Sequence, residues 1–245
     1  MVERREDYVK SLEEYYKKQK INVGANFYCE HKNECKNAAY RGAEAYVGEK
    51  YGEPFKVLVA SLDLGNAKAN LEERFRQIKD LKEDKLNPHM RGTLKTLEVI
   101  FSDELKTKEV TEPFKNFALT NTAKCCLGTM AQAPWEFFNN CKEYTKGEVD
   151  ILDPDIIVSQ GECASAVFEL LYPKLKSQDT WDGKGIKWLE KEGEITLRNN
   201  HKVGIICSVH PAVKNNRSRS AWDRFIKVRL PEFIKKWRQK IKDKS

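Results

Sequence analysis

Residues 154–175 read PDIIVSQGECASAVFELLYPKL. The first half is a short run of apolar and β-branched residues closed by a turn signal at Gly161, which marks a buried strand; the second half reads as the helix that follows it. The same unit recurs along the chain. PFKVLVASLDLG (54–65) is a strand followed by helices over 66–84 and 90–105, and FKNFALTN (114–121) is a strand followed by a helix over 134–149. GEITLRNNHKVGIICSVHP (193–211) supplies a short edge strand, a tight Asn-Asn turn and a fourth core strand. Strands alternating with helices predict an α/β fold of three α/β/α layers, with a central, mostly parallel four-stranded sheet. Ligands in such sheets bind beyond the carboxyl ends of the strands. Those ends carry Asp63, Asn121, Gln160 and His210, an acid, two amides and an imidazole. Taken one at a time, each also reads as an ordinary cap or turn residue.

The flanks are read the same way. A helix is expected over 3–20, with Tyr8, Leu12 and Tyr15 or Tyr16 at helical spacing, then a loop and a second helix over 36–50. From Ser220 onward the chain reads as one long helix that Pro231 should kink or break.

With 245 residues, 33% of them charged, and a mean hydropathy of −0.68, the chain has the composition of a soluble globular protein large enough to bury a proper core. It holds no apolar run near the roughly 20 residues a bilayer span needs, and its first residues, MVERREDYVK, lack the apolar centre of a signal peptide. A cytoplasmic protein without a membrane partner is the expectation. The net charge of +7 and pI near 8.9 suit a polyanionic partner, although the basic tail KVRLPEFIKKWRQKIKDKS is equally the signature of an exposed terminal helix.

The stretch 119–144, LTNTAKCCLGTMAQAPWEFFNNCKEY, gathers three of the seven cysteines just past a strand end. Disulfide, metal cluster and accident are the candidate explanations. A cytoplasmic setting disfavours structural disulfides, and an odd number of cysteines disfavours a full disulfide framework. Reduced thiols or metal ligands remain. Cys163 and Cys207 fall within a helix and a strand and read as plain core residues.

In order, LTNTAKC, fifteen residues and Cys141, then LDPDIIVSQGECA, then SVHPA, resemble the uracil-DNA glycosylase superfamily, and most closely its iron–sulfur branch, over about residues 55–230. The resemblance implies a [4Fe–4S] cluster held by Cys125 and Cys141 with Cys29 and Cys35, the last pair spaced by five residues where the branch has two. It divides the chain into an N-terminal helical extension (1–54), carrying the first cysteine pair, and a glycosylase-like domain (55–245). It implies that Asp63 handles the attacking water, although the branch itself places a Glu one position earlier, where this chain has Leu62. Asn121 reads the flipped base, and His210 hydrogen-bonds the departing one. His89 stands where the family carries an aromatic that stacks on uracil. In PAVKNNRSRSAWDRF (211–225), Val213 or Lys214 would act as the wedge, with Arg217, Ser218 and Arg219 meeting DNA phosphates. The implied activity is monofunctional base excision: flipping and hydrolytic removal of uracil from DNA by a monomer, leaving an abasic site. The alternatives are a glycosylase for another damaged or modified base, or a DNA-binding member that has lost the chemistry.

Overall fold

Four apolar runs become the four central strands, each buried on both faces, as a continuous apolar pattern requires. The computed structural model describes residues 4–21, 28–63, 70–79, 81–105, 112–128, 131–173, 175, 191–212 and 216–242, without the side chains of residues 40, 41, 83, 217 and 242. Helix α1 (Arg5–Gln19) precedes strands β1 (Tyr40–Arg41), β2 (Tyr46–Val47) and β3 (Val57–Ser61). Helices α2 (Leu71–Lys79) and α3 (Pro88–Ile100) lead to β4 (Phe117–Asn121) and β5 (Cys125–Cys126). Next come α4 (Trp135–Leu152), β6 (Ile156–Gln160), α5 (Glu162–Leu171), β7 (Glu192–Thr196), β8 (Lys202–Ser208), α6 (Asn216–Arg224) and α7 (Leu230–Lys242).

The sheet order is β2-β4-β3-β6-β8-β7. The inner four strands are parallel, and the two edge strands β2 and β7 run antiparallel to their neighbours. Among the described residues the sheet is therefore mixed and six-stranded, not four-stranded. Chain order explains the layers. The connection from β3 to β4 through α3 lies on one face, where Leu94, Leu97, Phe225 and Trp237 pack on Val57, Val59, Phe117 and Ile206. The connections through α4 and α5 lie on the other, where Leu12, Tyr144, Val149 and Phe168 pack on Leu58, Ala60, Ala118 and Ile157. Connections that leave neighbouring strands β3 and β6 toward opposite faces open a crevice between their carboxyl ends.

Residues before position 55 share this core. Tyr8, Leu12 and Tyr16 of α1 are buried in the second cluster, and β2 extends the sheet. The helix expected over 36–50 is absent. Residues 43–47 are buried throughout, and such a run has no polar face to offer solvent. Pairing across the chain takes over instead: β1 runs antiparallel to β5, and the Ala43 N–H donates to the Lys124 carbonyl at 2.8 Å. At the other end Pro231 breaks nothing. Residues Phe225–Arg229 widen into a π-turn in which the Leu230 N–H reaches the Phe225 carbonyl, five residues back. The loosened turn accommodates a residue that has no N–H to donate. Helix α7 then lies close on β8; a Cβ on Gly204 would stand 2.4 Å from the Trp237 ring. No helix among the described residues is long and apolar enough to cross a membrane.

One buried polar network ties α1, β4 and α4 together. Glu148 and Lys124 form an ion pair with both side chains almost wholly enclosed, and Thr120 donates to the same carboxylate. The Tyr16 hydroxyl donates to Glu148 at 2.6 Å and accepts the Ala45 N–H at 2.8 Å. Removing one partner of such a pair strands the other charge in the interior. Glu148→Ala is expected to lower the unfolding free energy by about 3–5 kcal/mol in urea titrations, and the double variant Lys124→Met/Glu148→Leu by clearly less.

Candidate functional site

The pairing register decides which side chains meet at the crevice. Ser61 is level with Asn121, and Gln160 with Ser208. Side chains alternate between faces with period two. Ser61, two residues past Val59, therefore shares the α3 face with Asn121, Gln160 and Ser208, one polar row above the apolar core. Asp63 and His210 follow two residues beyond the ends of β3 and β8.

Helix α3 closes over this row. Asn87 caps it by accepting the Met90 N–H at 2.8 Å, with Pro88 at the first helical position, which places His89 in the first turn. His89 Nε2 stands 2.9 Å from Ser61 Oγ and 3.1 Å from Gln160 Oε1. The hydroxyls of Ser61 and Thr93 each donate to Gln160 Oε1 at 3.2 Å. With its carbonyl end thus engaged, the fully buried Gln160 leaves Nε2 without a hydrogen-bond partner. An orphaned buried donor of this kind costs about 1–3 kcal/mol. The His89 ring lies nearly parallel to that of His210, with centroids 5.0 Å apart and planes 8° apart. Gly92 makes this approach possible: a Cβ there would stand 2.2 Å from Pro211, the residue after His210.

Both imidazoles are held neutral. Burial, reinforced by the neighbouring His210, pushes His89 down to about 3, against the opposing bond to Gln160. Burial also lowers His210, and the charge of Asp63 acts in the opposite direction. His210 Nδ1 accepts the Ala212 N–H at 3.3 Å, so the proton resides on Nε2, leaving a neutral donor for an oxygen in the crevice. The Asp63 carboxylate accepts the Ala133 N–H at 2.8 Å, fastening the end of β3 to the loop ahead of α4. Asn121 is oriented from α2: its Oδ1 accepts from Arg74 Nη1 at 2.7 Å, and the same nitrogen donates to the Glu44 carbonyl at 2.5 Å. Burial lowers Arg74 to about 10, which leaves it charged near neutral pH. One lone pair of Asn121 Oδ1 remains for a ligand.

The expected cluster ligands also meet. Cys29, Cys35, Cys125 and Cys141 line a single pocket together with Ile21, Lys32, Lys124 and Tyr144. No disulfide joins any of the seven cysteines. Cys141 Sγ accepts the Lys124 N–H at 3.3 Å. Burial, with Cys125 and Cys35 nearby, drives the Cys141 thiol strongly upward; this apolar chamber does not stabilise thiolates unaided. Among the described residues no three His, Cys, Asp or Glu side chains are grouped to hold a single metal ion, which would draw thiolates to about 2.3 Å from one centre. Four thiols around one pocket are the donor set a [4Fe–4S] cluster would use, each iron taking one thiolate and supplying the positive charge that thiolates need. The donor set fits a [4Fe–4S] cluster.

Asp63, Asn121, His89 and His210 thus stand at the same, carboxyl end of the sheet, His89 and His210 in ring contact and Asp63 near His210. Of the expected DNA contacts, Lys214 and Val213 lie outside the described residues, as does the side chain of Arg217, while Ser218 is half-buried and Arg219 exposed on α6. Ser61, Thr93 and Arg74 were not singled out from the sequence, and Gln160 was noted only as a strand-end amide. Strand periodicity running from Val57 would have placed Ser61 on the crevice face. Nothing local to Arg74 announces a contact with a residue 47 positions away. Scanned against protein-family models and searched against curated proteins, the chain returns no match.

The pKa of His89 gives the site a pH signature. As pH falls, the unfolded chain takes up the proton near 6.5, whereas the folded chain takes it up at about 3. The stability contributed by neutral His89 is therefore complete above about 6.5 and is lost progressively as pH falls toward about 3. Urea unfolding across this range should show a shallower acid loss for His89→Phe than for the wild type; parallel curves would refute the assignment.

Proposed function

We propose that the chain is a monofunctional DNA glycosylase of the uracil-DNA glycosylase superfamily, similar to its iron–sulfur branch, which flips a uracil from DNA and removes it hydrolytically. The observation that carries this reading is a double convergence. The four cysteines implied by the resemblance, drawn from segments about a hundred residues apart in sequence, line one pocket, and the strand-end residues it implies stand together at the carboxyl end of the sheet.

The geometry suits the chemistry. Asn121 would meet the base with the Nδ2 donor toward O4 and the remaining lone pair of Oδ1 toward N3–H. Cytosine presents the opposite pattern at both atoms and would leave buried groups unpaired. Arg74 prevents the amide from turning to suit cytosine. Neutral His210 would donate from Nε2 to O2, where negative charge accumulates as the bond from C1′ to the base breaks. A donor already in place needs no reorganisation at that moment. Asp63 would orient the water whose oxygen joins C1′, with one proton ending on the released base. The sugar–phosphate backbone stays intact, leaving an abasic site. Ser218 and Arg219, with Lys214 and Arg217, would meet phosphates, adding affinity without sequence preference. A [4Fe–4S] cluster on Cys29, Cys35, Cys125 and Cys141 would act structurally, tying the segment before β1 to the start of α4.

A second reading has its own observation. One face of His89 is covered by His210, so the ring is not simply open to stack on uracil. This favours a glycosylase for another damaged or modified base.

The test uses the full chain, purified anaerobically, on single- and double-stranded oligonucleotides carrying uracil or another lesion. Release of uracil with an unbroken strand is expected. Asp63→Asn is expected to slow single-turnover excision by about 10²–10⁴-fold while DNA binding is retained. A wild type that binds DNA and releases no base from any lesion would place the chain among binding modules.

A further inference from the structure

Gln160 is unassigned by the proposed reaction, yet it is the most constrained polar residue of the crevice. Its side chain is fully enclosed, its carbonyl end is contacted by Ser61, His89 and Thr93, and its amide nitrogen has no partner. A Leu or Met would fill the same space with no donor left over. Such an orphan calls for a physical reason, and at the end of a strand row a ligand that supplies the missing acceptor is one.

We propose that Gln160 Nε2 is a second donor to the ligand's carbonyl oxygen, acting beside His210. This rests on the glycosylase reading and extends it. Position on the sheet selects the atom. Ser61 separates Asn121 from Gln160 in the strand-end row, and β6 adjoins β8, which leads to His210. With O4 and N3–H on Asn121, O2, which flanks N3 on the same edge of the ring, is the carbonyl left to the neighbouring donors Gln160 Nε2 and His210. The three groups at Oε1 hold the amide so that it presents N–H to the base. Two neutral donors then share the charge that develops on O2. Gln160 lies enclosed beneath His89, so in this proposal the base reaches it by parting the His89–His210 stack.

The experiment compares wild type with Gln160→Met, which keeps the volume and removes the donor, and with Gln160→Glu, which keeps the length and places an acceptor there. Single-turnover excision of uracil from DNA, DNA affinity and melting temperature are measured on each. The expected result is a loss of about 10²–10³-fold in the single-turnover rate for both variants, with DNA affinity unchanged and the melting temperature of Gln160→Met unchanged or raised. Wild-type excision by Gln160→Met, or by Gln160→Glu should the former not fold, would overturn the proposal and leave Nε2 as a buried orphan or water site. A wild type inactive on uracil refutes the glycosylase reading alone. Gln160 is then judged by thermal shift with free uracil and free cytosine, both of which carry O2. Stabilisation of wild type and not of Gln160→Met supports the donor; equal shifts, or none, overturn it.

Discussion

Four thiols meeting in one pocket are the constraint on which the arrangement of this chain turns. Two come from the segment between α1 and β1, one from β5 and one from α4. Bringing them together fixes the N-terminal segment against a loop that begins immediately after Asn121. The β1–β5 pairing and the Lys124 N–H donated to Cys141 belong to the same knot. Lys124 also lines the pocket and reaches Glu148 behind it. The end of β4 is thus held from the cysteine side through Lys124 and from the α2 side through Arg74. Under the proposed function Asn121 would need that rigidity, because discrimination by hydrogen bonding fails if the side chain can turn over.

The crevice follows from a second constraint, the in-register parallel pairing of β4, β3, β6 and β8. It brings Asn121, Ser61, Gln160 and Ser208 to one level on one face, where α3 covers them with His89 and Thr93. Burial there lowers both imidazoles and keeps them uncharged. In the proposed reaction a neutral His210 with its proton on Nε2 would meet the charge that appears during bond cleavage, and Gln160 Nε2, one strand over, would be the same device. The stability given up by an orphaned donor and a buried arginine is characteristic of a site kept ready for a ligand.

Much of this was legible in the sequence. The four inner strands, their helices and the residues at their ends follow from apolar runs and turn signals, because burial on both faces leaves a strong pattern. The β1 and β2 pairings were not legible: two-residue strands have no periodicity, and their partners lie more than seventy residues away. The π-turn before Pro231 was missed because a proline inside a helical pattern signals a break just as strongly as an accommodated widening. In the site, the cysteine spacing and strand-end Asn pointed to the pocket and crevice. The His89–His210 stack, the Arg74 bond to Asn121 and the group around Gln160 depend on how helices lie over the sheet, which local pattern does not encode.

The central claim, that the cysteine pocket holds an iron–sulfur cluster in a base-excision fold, is tested most directly by iron and acid-labile sulfide content. The full chain would be purified anaerobically alongside Cys125→Ser, Cys141→Ser, Cys163→Ser and Cys207→Ser. Iron and sulfide in equal amounts, with visible absorbance, are expected in the wild type and in the Cys163 and Cys207 variants, and lost in the Cys125 and Cys141 variants. A wild type that takes up neither after anaerobic reconstitution with iron and sulfide, or a Cys125→Ser/Cys141→Ser double variant that keeps both, would contradict it.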